Sequence, residues 1–209
     1  MSTILIVPGL YGSELQHWQT WIERKLPQAK RVEQDDWDSP ILPIWANAVS
    51  QEISRARSKV WIIAHSFGCL ASIYAAQRQP EKVAGAMLVA PANPQRFSLQ
   101  GLQSGEIYTS ARDTIAAHLP KHALDFPTVV VASSNDPWMP LADAEHWADY
   151  WESRFINIGA AGHINVASGF GAWSEGLKIF EHFQASLHDL PKGLINAPNQ
   201  QFIPVSQEF

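Results

Sequence analysis

The chain has 209 residues, 46% of them hydrophobic and 17% charged, which is enough for one globular domain with a full core and excludes a disordered chain. The formal net charge is −5 with no basic run, which argues against nucleic acid or an anionic membrane surface as a partner. The single cysteine, Cys69, excludes an internal disulfide, and no apolar run is long enough to span a bilayer.

The first residues, Met1-Ser2-Thr3-Ile4, carry neither the basic region nor the long apolar region of a secretory signal, so a cytoplasmic location is expected. Ile4-Leu5-Ile6-Val7 is continuously apolar, as in a strand buried on both faces of a parallel sheet, and it runs into a loop at Pro8-Gly9-Leu10-Tyr11-Gly12. Leu15, Trp18, Ile22 and Leu26 then recur at helical spacing. Lys30-Arg31-Val32 reads as a weak edge strand, and a turn-rich loop covers residues 35–40. Helical spacing returns with Trp45, Ala48, Val49 and Ile53. A buried strand follows at Val60-Trp61-Ile62-Ile63-Ala64, then a helix with Leu70, Ala71, Tyr74 and Ala75 on one face. Residues 83–90 form another buried strand, closed by Pro91. Residues 91–125 are mixed and read as a short excursion above the sheet, with one modest helical stretch at 112–118. Thr128-Val129-Val130-Val131-Ala132 is a clear strand. Leu141, Ala144, Ala148 and Trp151 mark a helix, residues 155–158 the last strand, and Phe170, Trp173, Leu177, Phe180 and Phe183 the last helix. The predicted domain covers residues 1–187, and an irregular Pro-, Asn- and Gln-rich tail covers 188–209. Alternating strands and helices predict an α/β fold with a mostly parallel sheet.

The junction Ala64-His65-Ser66-Phe67-Gly68 organises the rest. It is a strand, a sharp turn and a helix with serine at the apex, and small residues stand two places either side, where a strained turn needs them. The helix behind Ser66 aims N–H groups and the positive end of its dipole at the same point. The same five residues also fit a buried strand running into a helix capped by serine.

A serine hydroxyl needs a base, and the base needs an acid to fix its tautomer. At the carboxyl ends of strands, where open α/β sheets gather functional groups, stand Asp136 and His163. Both leave their strands on turn-forming residues, and Ser66, Asp136, His163 is the chain order of the α/β-hydrolase fold. Taken singly, Asp136 before Pro137 also fits a turn or a helix cap, and Gly162-His163 also fits the surface start of a helix. His65 reads as packing or orienting the turn, His17 as a surface or capping residue with a place lining a pocket as the alternative, and Cys69 as buried filler beyond the elbow. The oxyanion donors are expected at the Phe67 and Leu10 N–H groups, with Tyr11 the neighbouring alternative to Leu10. Tyr11, Phe67 and Trp138 are expected at the acyl pocket. No His or Cys spacing argues for a metal, and Gly9 and Gly12 do not form a dinucleotide-binding pattern, so no cofactor is expected.

Pro8-Gly9, His17-Trp18 and Trp21, Ala64-His65-Ser66, Asp136-Pro137-Trp138-Met139-Pro140 and Gly162-His163 together resemble the compact serine hydrolases of the retinoblastoma-binding-protein-9 (YdeN-like) group, over residues 3–185. The Asp-Pro-aromatic-x-Pro element is the most discriminating piece. The resemblance implies a single compact α/β-hydrolase domain of about six strands with a minimal lid and the sheet order 2-1-3-4-5-6. It also implies a triad at Ser66, Asp136 and His163, and hydrolysis of small esters. Ala64 stands where many members have glycine. The L-x-C-x-E motif tied to retinoblastoma protein in mammalian relatives is missing, so that partner is not carried over.

The expected activity is hydrolysis of small carboxylic esters through an acyl-enzyme on Ser66, by a monomer or weak homodimer. A thioesterase or amidase would use the same three residues. A binding protein on a vestigial hydrolase scaffold would need none of them, though nine tryptophans also suit a partner surface.

Overall fold

A computed structural model describes residues 2–102 and 114–188. The tail expected over 188–209 therefore lies, beyond His188, outside the described residues. Six strands form one sheet: β1 Ile4–Val7, β2 Ala29–Arg31, β3 Val60–His65, β4 Val83–Val89, β7 Thr128–Ala132 and β8 Arg154–Asn157. A two-stranded hairpin, β5 Phe97–Ser98 and β6 Gly101–Leu102, lies in the excursion after β4. The helices are α1 Trp18–Lys25, α2 Leu42–Arg55, α3 Phe67–Ala76, α4 Leu141–Tyr150 and α5 Ser174–His188.

The sheet order is β2-β1-β3-β4-β7-β8, and every neighbouring pair is parallel. Counting sheet strands alone, this is 2-1-3-4-5-6. Continuous apolarity in the strands follows from burial of both faces. Leu5, Val7, Ile62, Ala64, Leu88 and Val130 pack towards α2, α3 and α4. Ile4, Ile6, Trp61, Ile63, Met87 and Val129 pack towards Trp18 and Ile22 of α1 and Phe180 and Phe183 of α5. The winding direction reverses between β1 and β3, and a crevice opens at such a switch point beyond the carboxyl ends of the strands. Two close approaches mark the switch point in this chain. A Cβ on Gly68 would stand 2.4 Å from the Pro8 carbonyl oxygen and 2.5 Å from that of Val7. A Cβ on Gly9 would stand 2.7 Å from Ser66 Cβ. Only glycine lets the loop after β1 lie against the start of α3 at these distances.

Element boundaries differ from the sequence reading where apolar spacing continues beyond a helix. Leu15 fits the α1 period but is 69% exposed, and the helix begins three residues later, at Trp18. Phe170 and Trp173 fit the α5 period but precede the helix, with Trp173 packed edge-on against Trp18 at 5.3 Å. The edge strands β2 and β8 each start one residue earlier than expected. β4 stops at Val89 because Ala90 takes φ +42°. Of the helical stretch expected at 112–118, the described part is a single 3-10 turn, Ile115–Ala117.

The start of α1 is fixed by buried polar groups. Gln19 is fully buried and its side-chain amide donates to the carbonyls of Val7 and Ile63, both at 3.1 Å, tying α1 to the ends of β1 and β3. His17 caps the helix, its Nδ1 accepting the Gln19 N–H at 3.2 Å, so this ring is buried rather than on the surface. Burial, then the nearby Arg31 cation and then His163, bring the His17 pKa down from 6.5 to about 4.

This depression sets a pH dependence of stability. The unfolded chain takes up a proton on His17 near pH 6.5 while the folded chain refuses it to about pH 4, so stability falls as pH drops through that window. The loss is about 3 kcal/mol for this ring, taking about 1.4 kcal/mol per pKa unit. His17→Asn keeps a capping acceptor and removes the titration. Urea unfolding midpoints at neutral and mildly acidic pH are expected to differ less in His17→Asn than in the wild type. Equal acid sensitivity in the two proteins would contradict this account.

Candidate active site

Ser66 holds φ +53° and ψ −124°, a conformation that L residues rarely adopt. Strain of this kind costs about 1–3 kcal/mol. It is outweighed locally, because nine of the ten α3 residues are buried and each large apolar side chain contributes about 1.5–3 kcal/mol. The Ser66 N–H donates to the Val89 carbonyl at 3.1 Å, and the Ser66 carbonyl accepts the Cys69 N–H at 3.0 Å. The serine side chain makes no helix cap. Its Oγ instead lies 2.9 Å from His163 Nε2.

Asp136 follows β7 and uses its two oxygens differently. Oδ1 accepts the Trp138 N–H at 2.8 Å, closing the turn that the sequence suggested. Oδ2 accepts from His163 Nδ1 at 2.8 Å. The Asp136 side chain is 2% exposed and that of His163 is 10% exposed. With the carboxylate accepting the hydrogen bond of Nδ1–H, Nε2 is left as the acceptor for the Ser66 hydroxyl. The structure thus brings Ser66, His163 and Asp136 into one hydrogen-bonded relay from the ends of β3, β8 and β7.

The loop that carries His163 is held at successive residues by groups to which the sequence reading gave no such role. Ser133 Oγ accepts the Ala161 N–H at 2.9 Å, Asn135 Oδ1 the Gly162 N–H at 2.7 Å, and Ser168 Oγ the His163 N–H at 3.1 Å. His65 Nε2 donates to the His163 carbonyl at 2.9 Å, and Trp18 Nε1 donates to the Ile164 carbonyl at 2.8 Å. A carbonyl only accepts, so His65 carries its proton on Nε2. Burial, with His163 and His17 nearby, holds the His65 pKa well below its ordinary value. The rings of His17, His65 and His163 stand in a row at 5.0 Å spacings. The available signal was the position of His65 beside the apex, which the sequence reading took as packing or orienting the turn; its hydrogen bond is instead to the loop of His163.

At the expected oxyanion site, the Tyr11 N–H is taken by the Trp37 carbonyl at 2.9 Å. The N–H groups of Leu10 and Phe67 bond no acceptor among the described residues. The Phe67 side chain is not at a pocket wall as expected. It is fully buried, edge-on to Trp45 at 5.2 Å and 4.8 Å from Phe97. Tyr11 is 71% exposed and Trp138 49% exposed, on the loops that hold Gly9 and Asp136. Cys69 is buried with Sγ donating to the Val89 carbonyl at 3.5 Å, and burial pushes its thiol pKa up, which makes it inert. A separate groove of about 290 Å³, lined in part by Asn93, Lys121, His146 and Tyr150, contains none of the relay residues. Among the described residues no group of three or more His, Cys, Asp or Glu is placed to hold a metal ion. No described helix is long and apolar enough to cross a membrane.

Comparison with known proteins bears on the family and the fold. Residues 4–182 match the family model described as serine hydrolase. No curated protein sequence matches. Among solved structures, a YdeN-like hydrolase of Pectobacterium atrosepticum is 37% identical over 90% of this chain and 92% of its own, with a TM-score of 0.78. The ydeN gene product of B. subtilis is 18% identical, with a TM-score of 0.66 over 88% of this chain and 100% of its own. Est1E of Butyrivibrio proteoclasticus, solved with ferulic acid bound, is 14% identical, with a TM-score of 0.65 over 89% and 90%. The last two are likenesses of fold. With a family match over most of its length and a 37% identical relative covering nine-tenths of it, the chain belongs to the serine hydrolase family, in its YdeN-like group.

Proposed function

We propose that this serine hydrolase cleaves small carboxylic esters through an acyl-enzyme on Ser66. The observation that carries the reading is the relay itself, 2.9 Å from Ser66 Oγ to His163 Nε2 and 2.8 Å from His163 Nδ1 to Asp136 Oδ2. Ser66 Oγ attacks the acyl carbon as its proton passes to His163 Nε2. Asp136 holds the ring in the reactive tautomer and stabilises the imidazolium. The Leu10 and Phe67 N–H groups receive the oxyanion, a role supported by their lack of an acceptor and by the contact of Gly9 with Ser66. His163 then returns the proton to the leaving alkoxide. In the second half it deprotonates the water that frees Ser66.

A thioester or an amide would engage the same groups. The ester reading takes its support from a Thermogutta terrifontis esterase that shares this fold and from Est1E, solved with ferulic acid bound. Exposed Tyr11 and Trp138 support an open rim suited to short acyl groups. The partner under this reading is a small-molecule ester.

Labelling by a fluorophosphonate probe is expected in the wild type and absent in Ser66→Ala. Hydrolysis of 4-nitrophenyl acetate is expected to fall by a factor of about 10³ or more in His163→Ala. Failure of folded wild type to react with the probe would sink the reading. His65 supplies a second test, because its role is to hold the His163 backbone and not to touch substrate. His65→Gln keeps a side-chain N–H of similar reach, whereas His65→Leu leaves the His163 carbonyl unpaired. We expect kcat to drop about tenfold or more in His65→Leu with KM little changed, and substantial rescue in His65→Gln. Equal kcat in the two variants would remove His65 from this role.

A further inference from the structure

Arg96 borders the loop that carries Asp136. It ends the 3-10 turn Pro94–Arg96 that follows β4. The next residue, Phe97, packs its ring 4.8 Å from that of Phe67, the residue after the candidate nucleophile. On the other side the Arg96 guanidinium sits over the Trp138 ring at 4.4 Å from its centroid. Trp138 in turn donates its N–H to Asp136. The turn is held rigidly, since buried Asn93 accepts the Gln95 N–H at 2.9 Å and donates to Asp143 at 3.3 Å. The cation is therefore stacked on the loop that carries Asp136, and the residue after it packs on the ring of Phe67, next to Ser66 in the chain.

Its donors are unused among the described residues. No carboxylate or carbonyl among the described residues bonds the Arg96 guanidinium. By contrast Arg31 is consumed by Glu23, Thr20 and the Ser13 carbonyl, and Arg55 by Glu52 and Gln51. The nearby acids are already engaged, Asp136 by His163 and Trp138, and Asp143 by Asn93. Stacking occupies one flat face of a guanidinium and leaves its N–H edge open. That edge matches a carboxylate in paired hydrogen bonds. Holding the cation in advance by the stack reduces the side-chain entropy lost when an anion binds.

We propose that Arg96, stacked on Trp138, binds a carboxylate carried by the substrate, so that the enzyme prefers esters bearing an anionic group over their neutral counterparts. The inference rests on the serine esterase reading above and names the substrate class for the same site.

Two matched pairs of esters test it with the full-length protein. The mono-4-nitrophenyl ester of glutaric acid against 4-nitrophenyl pentanoate places the charge on the acyl side. 4-Acetoxybenzoate against 4-acetoxybenzamide places it on the alcohol side. Wild type is expected to favour the charged member of one pair, which identifies the side. Arg96→Gln is expected to lower kcat/KM for that member at least about tenfold more than for its neutral partner, mainly through KM, with Arg96→Lys intermediate. Rising salt should narrow the preference in wild type and leave the Gln variant flat. No preference in either pair overturns the proposal. An equal fall for both members in Arg96→Gln also overturns it, because Arg96 would then only prop Trp138. Fluorophosphonate labelling is read in parallel. Labelling and neutral-ester turnover without a charge preference would leave the esterase reading standing and remove this one. Loss of both, and of all four hydrolyses, would overturn the two together.

Discussion

The strained backbone of Ser66 is the constraint on which the functional end of this molecule depends. A serine at φ +53° stays there only because its neighbours leave it no alternative. The Val89 carbonyl holds its N–H, α3 is buried almost throughout, and Gly68 sits where a methyl group would strike two carbonyl oxygens of the β1 end. These restraints come from β1, β4 and α3 together, so the elbow is a product of the whole centre of the sheet. They also bring the loop after β1 against the serine, with Gly9 as the point of contact. The hydroxyl, and the neighbouring N–H groups that bond no acceptor among the described residues, are therefore positioned by the same packing that gives the fold its stability.

The partner loop adds a second means of restraint. The segment around His163 buries Ala161 and Ile164 in the core and is also held by hydrogen bonds at successive backbone groups. They come from Ser133, Asn135 and Ser168 on one side and from His65 and Trp18 on the other. Each such bond contributes only about 1 kcal/mol net, but a buried carbonyl or N–H left unpaired costs about 1–3 kcal/mol. That asymmetry gives the loop a single arrangement. A relay that must keep two hydrogen bonds near 2.9 Å needs this kind of restraint, since small misplacements are costly to catalysis.

What the sequence made legible follows from the range of the interactions involved. The strands are apolar because both faces are covered, and the elbow is spelled by small residues around one serine, so both can be read locally. Asp136 and His163 were recognisable because each follows a strand on turn-forming residues. The sheet order came from resemblance to a family and not from the residues themselves. Helix starts were misplaced where apolar residues outside a helix kept its period, as Leu15 and Trp173 do for different reasons. Leu15 faces solvent, while Trp173 packs on Trp18 before α5 begins. The support of the His163 loop was not legible, because Trp18 and Ile164 are 146 residues apart and His65 and His163 are 98 apart. Nothing local marks such a pair. The Phe67 side chain was misassigned because position beside a nucleophile fixes where an N–H points but leaves the ring free to enter the core.

The row of three histidines shows why burial at this site serves function as well as packing. If the reaction proceeds as proposed, His163 becomes a cation in the step that forms the oxyanion. A positive charge on His65, 5.0 Å away, would oppose that step by about 3 kcal/mol at an effective dielectric of about 20. Converted to a rate, this is a factor on the order of 10². Desolvation removes the penalty by keeping His65 neutral, and His17 behind it likewise. The same neutral state gives His65 one N–H to hold the His163 carbonyl and gives His17 one lone pair to cap α1. Two rings that are commonly taken for candidate bases thus work here because they do not titrate in the working range. The proton traffic is left to the one histidine whose ring faces both the serine and the aspartate.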